Sequence, residues 1–313
     1  MFQLSPQARA ALVLALVATA CSSSGSKQNK GPKEPDREIK PIGDLVAATN
    51  QPESIGTFLS EVNSTIKAWN NLFLSANSDQ DKRKARLLED DLMRVTHKRR
   101  AELVMELESG PLNNRIVAAA ALGFTRESEA QSPLLAALDD QSEEVVSSAL
   151  LGLWLLGRSD TPLDKICPLL TRGRSENVRT NAALCLATLL QAGAKGDCAL
   201  QAARLGILDP APTVRAHCAL ILADQKDTAS MQAIYDLLYD ETPLVVSAAT
   251  RALVFLARED PHVKGPAARA LVKAWLTAKD ETKGQLFKGM VALAESNYGS
   301  DEKEWIKWAD RLP

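Results

Sequence analysis

Along most of the chain apolar residues recur at intervals of three and four, the period of a helix resting on a core, and runs of Val, Ile and Thr at strand spacing are scarce. Over residues 53 to 75, Ile55, Phe58, Leu59, Val62, Ile66, Trp69, Leu72 and Phe73 fall on one side of a helix that begins behind Pro52. A second, longer helix is predicted from Asp79 to Ser109, with Leu88, Leu92, Val95, Leu103 and Leu107 inward, ending at Gly110-Pro111. Beyond it the pattern changes. In "VRAHCALILAD", residues 214 to 224, Val214, Cys218, Ile221 and Leu222 form one apolar stripe, yet Leu220 and Ala223 point the other way, where a surface helix carries Lys or Glu.

That double-sided stretch is one of a set. "IVAAAALGF", "VVSSALLGL", "VRTNAALCL", "VRAHCALIL" and "VVSAATRAL" begin at Ile116, Val145, Val178, Val214 and Val245, spaced by 29, 33, 36 and 31 residues. Each follows another helical stretch, such as "SPLLAALDD" or "SMQAIYDLLYD", so a helix pair repeats with a period near thirty, the signature of an α-solenoid. Asp140, Asp209 and Asp240 stand five residues before the Val and are expected to cap the second helix. Counting from that first residue, the fourth and eighth following positions are core. The sixth, on the opposite arc, holds Leu122, Leu151, Leu184 and Leu220 before Arg251 interrupts, and Trp154 joins at the ninth. A helix apolar all round is covered on both sides. Two covers would serve: the amphipathic helix 53 to 75 or a bend of the solenoid, or else a partner helix or peptide lying in a groove with Trp154 as anchor. On the second reading Leu122, Leu151, Trp154, Leu184 and Leu220 are the partner-binding residues.

"LGILDPAPTVRAHCALIL" resembles a HEAT repeat, in which a turn Asp precedes Val-Arg and a helix of small residues. The resemblance spans 101 to 297 in six units, the last of them the poorest. It implies an all-α, HEAT-like α-solenoid of about six helix pairs behind two N-terminal helices. Arg179 and Arg215 match the Arg that in this family forms a ladder with turn aspartates. Val117, Val146 and Val246 stand in its place elsewhere, so a broken ladder is expected. The closing "DEKEWIKWADRL" resembles the Trp-x-x-Trp ends of bacterial HEAT-repeat proteins, which implies a capping helix with Trp305 and Trp308 over the last repeat.

The first residues change the picture of where such a protein works. One cation at Arg9, an apolar run of about eleven residues and Ala18-Thr19-Ala20 before Cys21 read as a cleaved export signal over residues 1 to 20, too short to span a bilayer. "VATACSSSG" resembles the signal of bacterial lipoproteins, with Ala18 where Leu is usual. The resemblance implies a lipid-modified N-terminal Cys21 and, with Ser22 rather than Asp following, an outer-membrane destination. More than one acyl chain gives stable anchoring without a transmembrane helix. The alternative is cleavage to a soluble secreted or periplasmic protein. Residues 22 to 43 are polar and rich in Ser, Lys and Pro, a flexible tether. The expected organisation is signal 1–20, lipidated Cys and tether 21–43, N-terminal helical region 44–110, and repeat array with cap 111–313.

With 45% hydrophobic residues in 313, the chain can bury a sizeable core. Removing residues 1 to 20 takes away Arg9 and no acid, leaving 36 basic against 39 acidic residues, a balance that does not favour nucleic acid. The clusters "KRKAR" (82–86) and "HKRR" (97–100) are separated by Glu89, Asp90 and Asp91. Arg86 with Asp90 and Asp90 with Arg94 are expected to pair, giving a solvated face rather than a lipid site.

His97, His217 and His262 lie on separate elements, without metal-ligand spacing, and no nucleophile elbow, Walker or dinucleotide fingerprint is present. No cofactor, metal, nucleic acid or small-molecule substrate is expected. Among the four cysteines after Cys21, Cys185 and Cys218 fall on small-residue core positions and are expected to be free thiols. Helix axes 8 to 10 Å apart argue against bridges, with a Cys167–Cys198 disulfide as the alternative. The function expected is non-catalytic: an envelope scaffold or adaptor presenting the solenoid to a protein or peptide. The alternatives are a self-assembling structural protein, or an enzyme of the kind found among HEAT-like lyases and glycosylases.

Overall fold

The computed structural model describes residues 54–75, 78–173 and 175–313. The export signal, Cys21, the tether and Pro52 lie outside the described residues. The described residues form helices, short 3₁₀ turns and connecting loops, with no strand among them. The described residues begin with two helices, α1 (Ile55–Ser75) and α2 (Asp79–Lys98), which pack together. Ser78 starts α2 by accepting from the Asp81 amide at 3.1 Å. Six helix pairs follow. They are α3 (Arg100–Ser109) with α4 (Leu112–Phe124), α5 (Gln131–Ala136) with α6 (Glu143–Leu156), and α7 (Cys167–Arg172) with α8 (Glu176–Gln191). The remaining pairs are α9 (Asp197–Gly206) with α10 (Pro212–Asp224), α11 (Met231–Asp236) with α12 (Pro243–Glu259), and α13 (Pro261–Thr277) with α14 (Asp280–Ala294). α15 (Glu302–Asp310) closes the chain. This is the all-α, HEAT-like α-solenoid class that the repeat pattern implies.

The long second helix expected from Asp79 to Ser109 is broken at Arg99, whose backbone leaves the helical region at φ −114°, ψ 22°. Just before the break, the Thr96 hydroxyl donates back to the Leu92 carbonyl at 2.8 Å, a bond that bends helices. Arg99 then holds the new direction. Its guanidinium bonds Glu102 at 2.9 Å and lies over the Phe58 ring of α1, 4.4 Å from the centroid. The break lets α3 turn to pack on α4 as the first pair of the repeat array.

The chain divides between Arg158 and Ser159 into two compact units. That boundary falls inside the stretch whose sequence reads as one array, whereas α3 and α4, on either side of Gly110-Pro111, pack against each other. In the first unit α4 and α6 cross with almost nothing between them: a Cβ on Gly123 would sit 2.7 Å from the Gly152 Cα, so only glycine permits the approach. In the second unit α10 packs between α8 and α12, and α14 lies against α12. Its core is lined by Val214, Leu222, Leu253, Leu271 and Leu286, all fully buried.

The aspartate turns do more than the sequence suggests. Asp140, Asp209 and Asp240 each accept from the amide two residues on, at Ser142, Ala211 and Thr242, fixing the turn one step before the helix cap rather than capping the first turn itself. Each also takes a forked pair of hydrogen bonds from an arginine: Arg115 to Asp140 (3.0 and 3.3 Å), Arg179 to Asp209 (2.7 and 3.1 Å) and Arg215 to Asp240 (2.9 and 3.0 Å). Every one of these arginines also donates to a carbonyl of its own turn, Gly110, Gly173 or Asp209. The Arg115 rung is absent from the sequence reading, which took Ile116 as the start of that repeat. With Arg115 aligned to Arg179 and Arg215, the frame of the first repeat slides by two, and Asn114 takes the Val position. Asn114 is polar there because it faces Glu106 of α3, donating to its carboxylate at 2.8 Å. The ladder's gap is double: Val146 stands where an Arg would be and Gly173 where its Asp would be, on either side of the boundary between the units.

Cys167 and Cys198 form a disulfide, with Cα atoms 6.0 Å apart, joining α7 to α9; Cys185 and Cys218 are free and buried. The bridge corrects the expectation of free thiols at this pair. Axis separation was the wrong measure, because Cα atoms stand about 2.3 Å off each helix axis and facing residues are correspondingly nearer. Burial pushes the thiols of Cys185 and Cys218 far up, and for Cys218 the Asp209 carboxylate adds to the effect.

Because the bridge closes a loop of 31 residues, replacing Cys167 and Cys198 with Ser should lower the unfolding free energy of the second unit by about 3–4 kcal/mol. Urea unfolding with and without reductant measures it: wild type should lose stability on reduction, and the double Ser variant should not respond.

Candidate functional site

The five residues expected to bind a partner do not form one accessible stripe. Leu122 is fully buried. In the frame set by Arg115 it occupies the eighth position, equivalent to Leu222, and so belongs to the core; this corrects its assignment to the outer stripe. Trp154 is also buried, and what covers it is internal. Trp69 of α1 lies with its ring centroid 6.5 Å from Trp154 and 5.2 Å from Phe124, edge-on to the latter, and Phe73 stacks at 5.0 Å on the other side. Of the two covers left open by the sequence, the amphipathic helix is the one found over this part of the stripe. Its inward face, chiefly Phe58, Leu59, Val62 and Trp69, is as buried as the repeat helices it covers.

In the second unit Leu184 is fully buried, and every residue of α8 from Thr180 to Ala187 is buried with it. This helix carries polar groups into the core. The hydroxyls of Thr180 and Thr213 meet at 2.8 Å, and His217 Nδ1 lies 2.7 Å from the Thr213 carbonyl. Leu151 and Leu220 alone among the five are half-exposed, one in each unit. Arg251, which ends the stripe in sequence, is half-buried; burial lowers its pKa and the Asp224 carboxylate opposes the shift.

Among the exposed apolar side chains, three lie close in sequence to two consecutive aspartate turns. Leu205 is 66% exposed, Leu208 79% and Tyr239 54%. Leu208 and Tyr239 occupy equivalent positions, each directly before a turn aspartate, and Arg215 ties the two turns together by holding both the Asp209 carbonyl and the Asp240 carboxylate. A second tie joins the same two repeats: Arg204 bonds Asp227 at 2.7 and 2.9 Å, and Ser230 donates to the same carboxylate at 2.5 Å. The Arg204 hydrogen bonds, with Ser230's help, hold the Asp227 carboxyl below the usual range despite its burial. The sequence reading passed over these turn residues because it followed the helices. Aligning the turns would have found them, since the equivalent positions in earlier repeats are Asp139 and Arg172.

The C-terminal cap is built as the Trp-x-x-Trp pattern implies. Trp305 is fully buried, edge-on to Phe287 of α14 at 5.9 Å and to Trp308 at 5.5 Å, and its indole N–H donates to the Gly299 carbonyl at 3.0 Å. Arg269 of α13 donates to the Leu312 carbonyl at 3.1 Å, where the helix-end carbonyls favour a cation. Of the histidines besides His217, His97 Nδ1 lies 2.6 Å from a Glu127 carboxylate oxygen, and His262 sits exposed in the first turn of α13. No group of three or more His, Cys, Asp and Glu residues among the described residues is placed to hold a metal ion.

No protein-family model matches the sequence, and no curated protein matches it. Among solved structures, an archaeal HEAT-like repeats protein from Thermococcus onnurineus NA1 is similar over 79% of this chain and 99% of its own, at 15% identity and a TM-score of 0.49. A designed armadillo repeat protein in complex with the peptide (KR)4 is similar over 61% of this chain and 98% of its own, at 20% identity and a TM-score of 0.48. The complex of CpcE and CpcF of the phycocyanin lyase from Nostoc sp. PCC7120 shares 21% identity over 67% of this chain and 93% of its own, with a TM-score of 0.42. The chain is an all-α helical-repeat protein, a class its own paired helices and aspartate turns define.

Replacing Trp69 with Ala should lower the stability of the first unit by about 3–5 kcal/mol, because it empties a buried aromatic site and uncovers a second indole. Thermal unfolding measures the loss, and a red shift of the remaining Trp154 emission, relative to a Trp154→Phe control, would report the uncovering.

Proposed function

We propose that this protein is a non-catalytic, protein-interaction scaffold of the bacterial cell envelope, anchored through an acylated Cys21 and most at home in the outer membrane. The observation that carries the scaffold reading is the exposure of Leu208 and Tyr239 on two successive turns, with Leu205 exposed at the end of α9, on repeats that the Arg215 and Arg204 bonds tie together. Apolar side chains on tied turns, with Gln201, Asp236 and Glu241 exposed nearby in the sequence, have the composition of a recognition surface for a protein or peptide. The anchoring reading is supported by the apolar leader, the small residues before Cys21 and the polar tether after it.

A photo-reactive residue at Leu208, compared with one at the buried Leu184, tests the surface in intact cells. An adduct with a second protein from Leu208, and none from Leu184, is the expected result. An adduct of twice the chain's mass would favour the self-assembling alternative, and no adduct from either would sink the turn-face reading. The anchor has its own test: mass spectrometry of the membrane-extracted protein should find an acylated N-terminal Cys21, and Cys21→Ser should release the chain from the membrane fraction. An unmodified N-terminus at Cys21 in a soluble fraction would overturn it.

A further inference from the structure

We propose that the outward face of α2, centred on Arg83, Lys84, Arg86 and Leu87, docks on the surface of a bilayer containing anionic phospholipid. Acids between its cations predict a solvated, self-paired face here, but the expected pairs, Arg86–Asp90 and Asp90–Arg94, are not the ones formed. Arg94 pairs with Asp91 instead, Glu89 is taken by Arg126 at 2.8 Å, and Asp79 pairs with Lys82 at 3.3 Å. Arg83, Lys84 and Arg86 are exposed and have no acidic partner among the described residues, and Asp90 is the one exposed carboxylate near them without a cation of its own.

The geometry adds an apolar element to the charge. At about 100° per residue, Leu87, Asp90 and Arg94 lie beside Arg83, with Arg86 and more distantly Lys84 flanking, and the buried Ala85 and Leu92 point the opposite way into the unit. Leu87 is 68% exposed, with Arg83 and Lys84 one turn before it and Asp90 and Asp91 one turn after it. A large exposed aliphatic side chain one turn from Arg83 and Lys84 suits a bilayer interface, where the apolar group reaches the acyl boundary and the cations meet lipid phosphates. The cationic character is local, since the whole chain carries 37 basic against 39 acidic residues. This inference goes beyond the scaffold reading and uses a different face. It shares with that reading only the setting of a membrane nearby.

The test uses the chain without residues 1 to 20 and with Cys21→Ser, so that neither leader nor acyl group contributes affinity. Sedimentation with vesicles of phosphatidylcholine alone, or of phosphatidylcholine with phosphatidylglycerol, should show binding to the second kind only, released by added salt. The triple variant R83E/K84E/R86E should bind about a hundredfold more weakly. Leu87→Ser should bind severalfold more weakly while keeping the salt dependence. All four side chains are exposed, so helix content and melting temperature should not change, and both are measured alongside. Equal binding to both vesicles, binding to neither, or binding kept by the triple variant would overturn the proposal. Because the anchor is tested by acylation of Cys21, failure here and failure there are told apart.

Discussion

A helix that is apolar on two sides must be covered on two sides, and this requirement governs how the chain is put together. The second helices of the repeats carry Val, Leu and small residues around most of their circumference, so each needs its own first helix, a neighbour on either flank and a further cover. In the first unit the further cover is α1, brought across by the break at Arg99 and fastened by Trp69. Without an aromatic residue there, Trp154 and Phe124 would face water, at a cost comparable to a large part of a domain's net stability. The helix looks like a leading segment in sequence, and in the structure it is part of the core.

Close approach and polar ties divide the remaining work. Glycine and alanine at the crossings let second helices touch backbone to backbone, while arginine–aspartate forks fix the rotation of one repeat on the next by tying each turn to its neighbour. Apolar contact alone tolerates sliding; a forked bond between planar groups does not. The disulfide between α7 and α9 adds a covalent tie on the first-helix side of repeats that the Arg179–Asp209 rung already joins at the turns.

Helix positions, the number of pairs, the cap built on Trp305 and two of the three rungs were legible in the sequence because each follows from local spacing. What was not legible depends on contacts between segments distant in the chain. Asn114 hid the first rung, since it is polar for the sake of Glu106 in another helix, and Leu122 was placed on the wrong arc as a consequence. The bridge was discounted because axis distances say little about where two facing Cα atoms stand. On α2, spacing along one helix suggested Asp90–Arg94, which lost to the nearer Asp91, and Arg86–Asp90, which does not form. The stripe itself was read correctly as apolar; whether its cover came from within or without could not be settled by a pattern local to the repeats.

Each unit has a tryptophan lid: Trp69 lies on Phe124 and Trp154 in the first, and Trp305 on Phe287 in the second. A repeat array with open ends can evolve by gaining a unit at either side. In the second unit a pair added after α14 would displace Trp305 and leave it nothing to cover, so copying or deleting pairs is better tolerated ahead of it. Within the units, the Arg–Asp rungs are the seams along which such copying would leave compatible neighbours.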